Sequence, residues 1–246
     1  MNQAVRCGRA GAVLMLLTIL APAAAWTQGA PPYLSHQAEV VFDVEAHTVE
    51  IADRMMVPAG VDHLRLGPDF EVLDITMPGG RAGDLAALTP AEDEDGPFQR
   101  LDLALLGLAE AGGEVILRYG GFFHQPVDSV VFSREKVGGE ITATISEEGI
   151  YLSGQAGWLA WHPETLATHD VRVETPAGFE TVTQGRRTEH AVEAGRLLTR
   201  WVAPHPSDGL NLIANRFFVH TEPAAEGVTA YTFFLEDDAR LRATYM

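Results

Sequence analysis

From Gln37 to Leu235, apolar and polar side chains alternate with a period of two, and turn residues interrupt the alternation at short intervals. A period of two puts successive side chains on opposite faces of an extended chain, so the pattern predicts strands with one face in a core. Strands are expected over 37–44, 47–57, 61–66 and 70–77, separated by Pro58-Ala59-Gly60, Gly67-Pro68 and Pro78-Gly79-Gly80. Residues 79–98 read as a loop, with a helical turn available at 84–88. Strands follow over 99–106 and 114–119, where Val115, Leu117 and Tyr119 alternate with Ile116 and Arg118. Residues 122–139 are irregular, with one apolar stretch at 130–132. The second half repeats the style over 141–145, 150–152, 168–175, 179–183, 188–192, 196–203, 210–220 and 228–235. Within 168–175, Val171 and Val173 are expected to face in, and Arg172 and Glu174 out.

Roughly 13 strands with no stretch of 3.6-residue periodicity before residue 236 predict an all-β fold: antiparallel sheets packed as a multi-sheet saddle or sandwich. The short turns favour hairpins over crossover connections. Residues 26–35 read as a flexible lead-in and 36–235 as the β-saddle domain, with a sub-boundary near 122–140. Residues 236–246 change character. Asp237 or Asp238 can cap a helix, and Ala239 to Met246 are good helix formers. A helix of about two turns is marginal alone. It reads as the start of a linker helix that continues in a parent protein, the alternative being an ordinary frayed tail.

The first 25 residues add a location. Arg6 and Arg9 precede the uncharged run Ala10 to Leu20, and Ala23-Ala24-Ala25 offers a cleavage site before Trp26. This is the pattern of a signal peptide, and the run is too short to cross a bilayer, which takes about 20 apolar residues. The mature chain is therefore expected to be exported, periplasmic or secreted, with no integral membrane span. Cys7 is the one cysteine and lies in the leader, so disulfides, thiolate metal sites and cysteine nucleophiles drop out together. Losing Arg6 and Arg9 leaves 15 of the 17 basic residues against 34 acidic ones, a balance of −19. Such a field repels nucleic acid and anionic lipid.

Few motifs carry chemistry. There is no His-Glu-x-x-His, and none of the nine histidines (36, 47, 63, 124, 162, 169, 190, 205 and 220) has a partner at the i, i+4 spacing of a zinc helix. There is no Gly-x-Ser-x-Gly elbow around Ser153-Gly154 and no phosphate loop at Gly112-Gly113 or Gly138-Gly139. The run Glu92 to Gly96 lacks the ligand spacing of a calcium loop and reads as a solvated turn. Trp158, Trp161 and Trp201 are candidate core anchors or, if exposed, a stacking surface for sugar rings.

Several segments, taken in order, carry a likeness. Val115-x-Leu117-x-Tyr119-x-Gly121 is similar to a strand end in the N-terminal β-domain of the aminopeptidase N family of zinc peptidases. Gly149-Ile150-Tyr151-Leu152 followed by Trp161-His162-Pro163 resembles the segment entering that domain's second sheet. Val171-x-Val173-x-x-Pro176-x-Gly178 with Val182-x-x-Gly185 resembles the next hairpin, and Trp201 with Leu210 to Ala214 the following pair. The strand 228–235 and the helix start at 241–246 resemble the junction with the catalytic domain. The likeness covers roughly 36–246. It implies a saddle of antiparallel sheets, with zinc, its two-histidine helix and the Gly-x-Met-Glu-Asn substrate motif in a following domain that this chain lacks. It implies no catalytic residue and no metal ligand here, and zinc only in that missing domain. The family's N-terminal domain often offers an acidic or amide residue to the peptide's free amine shortly before the Trp-His-Pro segment. Gln155 is the one amide in that stretch and is the substrate-binding candidate.

Three functions follow, because fold resemblance does not settle function. The leading one is a non-catalytic N-terminal domain of an exported zinc aminopeptidase-like protein, a fragment or truncated product. It would shape a peptide cleft and pack on a catalytic domain, so its partners would be a peptide substrate and that domain. The second is a stand-alone exported β-sandwich that binds a protein or glycan. The third is a metal enzyme whose site is assembled from strand histidines.

Overall fold

The computed structural model describes residues 32–125, 141–226 and 228–245. The expected signal peptide, most of the lead-in, the apolar stretch at 130–132 and most of the sub-boundary near 122–140 lie outside the described residues.

The first strands are β1 (Leu34–Asp43), β2 (Thr48–Val57), β3 (His63–Leu66), β4 (Phe70–Met77) and β5 (Arg81–Ala82). Next come β6 (Leu88–Asp93), β7 (Gly96–Asp102), β8 (Gly113–Phe122), β9 (Ala143–Ser146) and β10 (Gly149–Leu152). Then follow β11 (Ala167–Pro176), β12 (Glu180–Thr183), β13 (Arg186–Glu193) and β14 (Arg196–Ser207). The chain ends in β15 (Leu212–Asn215), β16 (Phe218–Ala225), β17 (Val228–Phe234) and the short helix α1 (Ala239–Tyr245). The all-β fold with a short C-terminal helix is as the alternation predicts.

Four sheets form. The largest has eight strands in the order β13-β14-β11-β1-β2-β8-β4-β5. A four-stranded sheet runs β12-β15-β10-β9, a three-stranded one β3-β7-β6, and β16 and β17 make a hairpin. In the large sheet one face carries the buried set: Ala38, Val40 and Phe42 from β1, Ile51 from β2, Leu117 and Tyr119 from β8, Val171 and Val173 from β11. The small sheets contribute Leu64, Leu101, Ile145, Leu152 and Leu212 to the same hydrophobic cluster. They therefore cover that face, as a sheet with one apolar side requires. The inward assignment of Val171 and Val173 holds. Where β12 crosses β14, the Thr181 and Thr199 hydroxyls lie 2.6 Å apart and the Trp201 Nε1–H donates to Thr181 Oγ1 at 3.2 Å. These bonds satisfy polar groups that would otherwise be costly to bury.

Four expectations change. The pairing is not wholly antiparallel: β1 and β11 run parallel, with Leu34 opposite Ala167 and Val41 opposite Glu174. Residues 79–98 are not a loop, because β5, β6 and the start of β7 lie within them. These strands are short and mostly exposed, so they lack the apolar alternation that marks a half-buried strand. The helical turn at 84–88 is a 3₁₀ turn over Leu85–Ala87, capped by Asp84. The acidic run is the β6–β7 turn, where Asp93 Oδ1 accepts from the Asp95 N–H. The segment 99–106 leaves its sheet at Asp102, whose carboxylate accepts from the Ala104 and Leu105 N–H groups and turns the chain. The segment 210–220 is two strands in different sheets, broken between Asn215 and Phe218.

Leu117 is fully buried in β8, whereas Leu73 in β4 is 60% exposed. Leu117→Ala is expected to lower the unfolding free energy by about 2–5 kcal/mol, and Leu73→Ala by less than about 0.5 kcal/mol. Equilibrium urea denaturation of both variants checks this.

Candidate functional site

The segment Ser153 to Trp161 links the four-stranded sheet to β11 and is tied down along its length. The Gly154 N–H donates to Asn211 Oδ1, the Trp158 Nε1–H to the Leu210 carbonyl, and the Tyr119 hydroxyl to the Trp158 carbonyl, each at 2.9 Å. Main-chain bonds between Arg65 and Trp161, 2.7 and 2.9 Å, join the far end to β3. Midway, the Gly67 N–H donates to the Gly157 carbonyl at 2.9 Å. Only glycine fits on either side of that contact. A Cβ on Gly67 would lie 2.0 Å from the Ala156 carbonyl oxygen, and one on Gly157, at φ +61°, would lie 2.7 Å from the Gly67 nitrogen.

The tethered segment forms one wall of a cavity of about 640 Å³, with Gln155, Trp158 and Trp161 on one side and His36 and His169 at the sheet. Arg65 lines it too, 2.5 Å from Asp93 and stacked over the Phe98 ring. Gln155 sits in a 3₁₀ turn over Gly154–Ala156 and is exposed. The structure thus places the substrate-binding candidate beside the cavity, on a wall held rigidly. Trp158 and Trp201 are core residues and Trp161 is half-buried, so the three do not form an exposed stacking surface.

The cavity meets a row of buried polar side chains that the sequence reading missed. His36 of β1 and His169 of β11 are register neighbours with stacked rings, 5.2 Å between centroids and 4° between planes. The His36 Nδ1–H donates to Asp53 Oδ2 of β2 at 2.7 Å. All three residues are at most 4% exposed. Asp53 Oδ1 and His169 Nδ1 are buried with no hydrogen-bond partner in the protein, and the same is true of the Ser153 hydroxyl at the start of the tethered segment. Burial, with His36 adding to it, pushes the His169 imidazole down to about 3. Period-two reading could have found the row: His36, Asp53 and His169 all fall on the inward positions of their strands.

A second group lies at the start of β3. Asp62, His63 and His162 bring one ligand atom each within 4.8 Å of one another, the one such group of three among the described residues. The Asp62 carboxylate takes a hydrogen bond from His63 Nδ1 at 2.8 Å and another from Arg100 at 2.9 Å. The His63 bond, with Arg100 behind it, holds Asp62 down to about 2. Burial, with His63 and Arg65 adding to it, lowers the His162 imidazole against the opposing pull of Asp62 and Glu164.

No family model and no curated protein matches the sequence. Solved structures do match its fold. A mutant M1 zinc metallopeptidase from Deinococcus radiodurans, bound to a Tyr-Ser-Ala substrate, is 17% identical, covers 81% of this chain and superposes with a TM-score of 0.53. A two-domain M1 zinc metallopeptidase mutant bound to L-tryptophan is also 17% identical, covers 82% of this chain and gives 0.54. The fold is one found within M1 zinc metallopeptidases. The match takes in 46% and 48% of those two chains, so this chain spans less than half the length of the structures it resembles. The likeness drawn from the ordered strand segments is borne out at the level of the fold.

The buried row makes the fold sensitive to acid. In the unfolded chain His169 takes up a proton near its ordinary value of 6.5, but in the fold only near 3. Between those limits the unfolded state binds more protons, so stability falls as pH falls from about 6.5 toward 3. This one group contributes a slope of up to about 1.4 kcal/mol per pH unit. His169→Gln is expected to flatten the pH dependence of the urea midpoint between pH 7 and 4. An unchanged slope would remove His169 as the cause.

Proposed function

We propose that this chain is the non-catalytic N-terminal β-domain of an exported zinc aminopeptidase-like protein, shaping one wall of a peptide cleft and packing on a catalytic domain. The observation that carries the reading is the partial coverage. More than four-fifths of this chain superposes on less than half of a two-domain zinc metallopeptidase. The Gly67–Gly157 contact and the Trp158 and Trp161 anchors hold Gln155 on a rigid rim, where its amide carbonyl can accept a hydrogen bond from a peptide's free amine. No metal takes part in that step. Polar orientation of a substrate terminus is what this chain contributes, and the catalytic zinc belongs to the partner domain.

The C-terminal end supports the packing half of the reading. Phe218, Val228, Leu235 and Leu241 are exposed on and around the β16–β17 hairpin and α1, and none of the described residues of β16 and β17 is fully buried. Apolar surface concentrated on one element suits coverage by a neighbouring domain. Export rests on the leader pattern of residues 1–25. Among the described residues no helix is long and apolar enough to cross a membrane. The glycan-binding alternative loses its main support, because Trp158 and Trp201 are buried.

Two measurements test the proposal. Translation of the reading frame beyond Met246 is expected to reveal a zinc-peptidase domain, there or in a neighbouring gene; its absence from both sinks the catalytic partnership. Short peptides with a free amine are expected to perturb amide resonances of residues 153–161 in this chain, while their N-acetylated forms do not. Gln155→Ala is expected to weaken that binding about fivefold to tenfold, the loss of about one hydrogen bond. Equal binding of free and acetylated peptides would exclude Gln155 from the role.

A further inference from the structure

We propose that Asp62, His63 and His162 form a binding site for a divalent transition-metal ion of the zinc, nickel or copper class. Two imidazoles and a carboxylate are a nitrogen–oxygen donor set suited to these ions rather than to calcium or magnesium. The three donors converge on one point. Asp62 Oδ1 lies 2.8 Å from His63 Nδ1 and 3.8 Å from His162 Nε2. Ligand atoms about 2.0–2.1 Å from a tetrahedral ion stand about 3.3 Å from each other, between those two distances. The His63 and His162 rings meet edge to face with centroids 5.0 Å apart, so both can turn a nitrogen to the same ion.

The scaffold is set by the main chain, not by the attraction of the ligands. The paired bonds between Arg65 and Trp161 hold β3 beside the segment carrying His162. Arg100 holds Asp62 Oδ2 and leaves Oδ1 facing the histidines, the supporting role that outer partners play around metal ligands. A cavity of about 300 Å³ lined by Pro58, Gly60, Val61, His162 and Glu164 opens beside the group and gives water or a further ligand access to the ion.

One rearrangement is required. His162 Nδ1 now accepts from the Glu164 N–H and lies 3.2 Å from the Thr165 hydroxyl, which leaves the ring proton on Nε2. For Nε2 to bind metal, that proton moves to Nδ1 and is donated to Thr165 Oγ1. The Glu164 N–H gives up its bond to the ring. His63 likewise carries its proton on Nε2 when Nδ1 faces the ion, and Asp62 exchanges the His63 hydrogen bond for the metal. The bound ion would clamp β3 to the 161–165 segment, next to the wall of the larger cavity.

The test is isothermal titration of chelator-treated protein with Zn²⁺, and with Co²⁺ for its visible d–d bands. One equivalent is expected to bind, with intense cobalt bands of a four-coordinate site. His63→Ala and His162→Ala are each expected to weaken binding at least about tenfold. Asp62→Asn, at a position 64% exposed where the carboxamide can still accept from Arg100, is expected to do the same, with circular dichroism confirming the fold. His124→Ala is the control, because His124 and His47, with tilted rings 3.9 Å apart between centroids, are a competing pair of imidazoles. Absence of binding to the unmutated protein at millimolar metal overturns the proposal. So does binding that survives Asp62→Asn and both histidine variants, or that is lost in His124→Ala alone.

Discussion

The parallel pairing of β1 with β11 is the constraint on which the rest of the molecule depends. β1 lies between β2 and β11, so it joins the strands of the first half of the chain to those of the second in one eight-stranded sheet. Without it the first-half strands β2, β8, β4 and β5 and the second-half strands β11, β14 and β13 would be two separate ribbons. A parallel neighbour cannot be reached by a tight turn, so the chain must leave the sheet and return. It uses that excursion to build the three-stranded sheet and β9 and β10 of the four-stranded one. Those sheets then have the exposed apolar face of the large sheet to cover, and the common hydrophobic cluster is the result.

The same pairing sets the chemistry of the interior. In a parallel pair, register neighbours point to the same face, and His36 and His169 are such neighbours. Their stack, and the bond from His36 to Asp53 on the other side, run across three adjacent strands at the edge of the large cavity. Apolar side chains at these positions would pack without the desolvation penalty that buried polar atoms carry. Asp53 Oδ1, His169 Nδ1 and Ser153 Oγ gain no protein partner in return. Of these, His169 lines the cavity, so there the fold is spending stability where a polar guest would recover it.

How legible each part was in the sequence follows from burial. Strands with one buried face, such as β1, β2 and β11, announce themselves by alternation, and their boundaries were found to within a few residues. β5 and β6 have almost no buried side chains, so nothing in their pattern distinguishes them from a loop. The split between β15 and β16 was hidden because apolar residues run through Phe217 and Phe218 while the chain changes sheets. The parallel pair was invisible for a different reason: alternation tells which face a residue takes and says nothing about its neighbour. The site had the same limits. Gln155 could be named as a candidate because it lies in sequence near Trp161-His162-Pro163, whereas His162 is brought to Asp62 and His63 across the Arg65–Trp161 bridge, which no sequence spacing shows.

That bridge also bears on what the resemblance to zinc metallopeptidases can carry. At 17% identity and a TM-score of 0.53 the likeness carries the fold and does not carry a site. Its sites are therefore set by contacts that this chain builds for itself. Gly67 and Gly157 bring two backbones into direct contact, and the Arg65–Trp161 bonds continue that seam toward His162. With glycine kept at that contact, main-chain bonds rather than side-chain packing set the geometry of the seam. Gln155 on one flank and the two imidazoles on the other are thus positioned by one piece of architecture, and a change that opens the seam must move both.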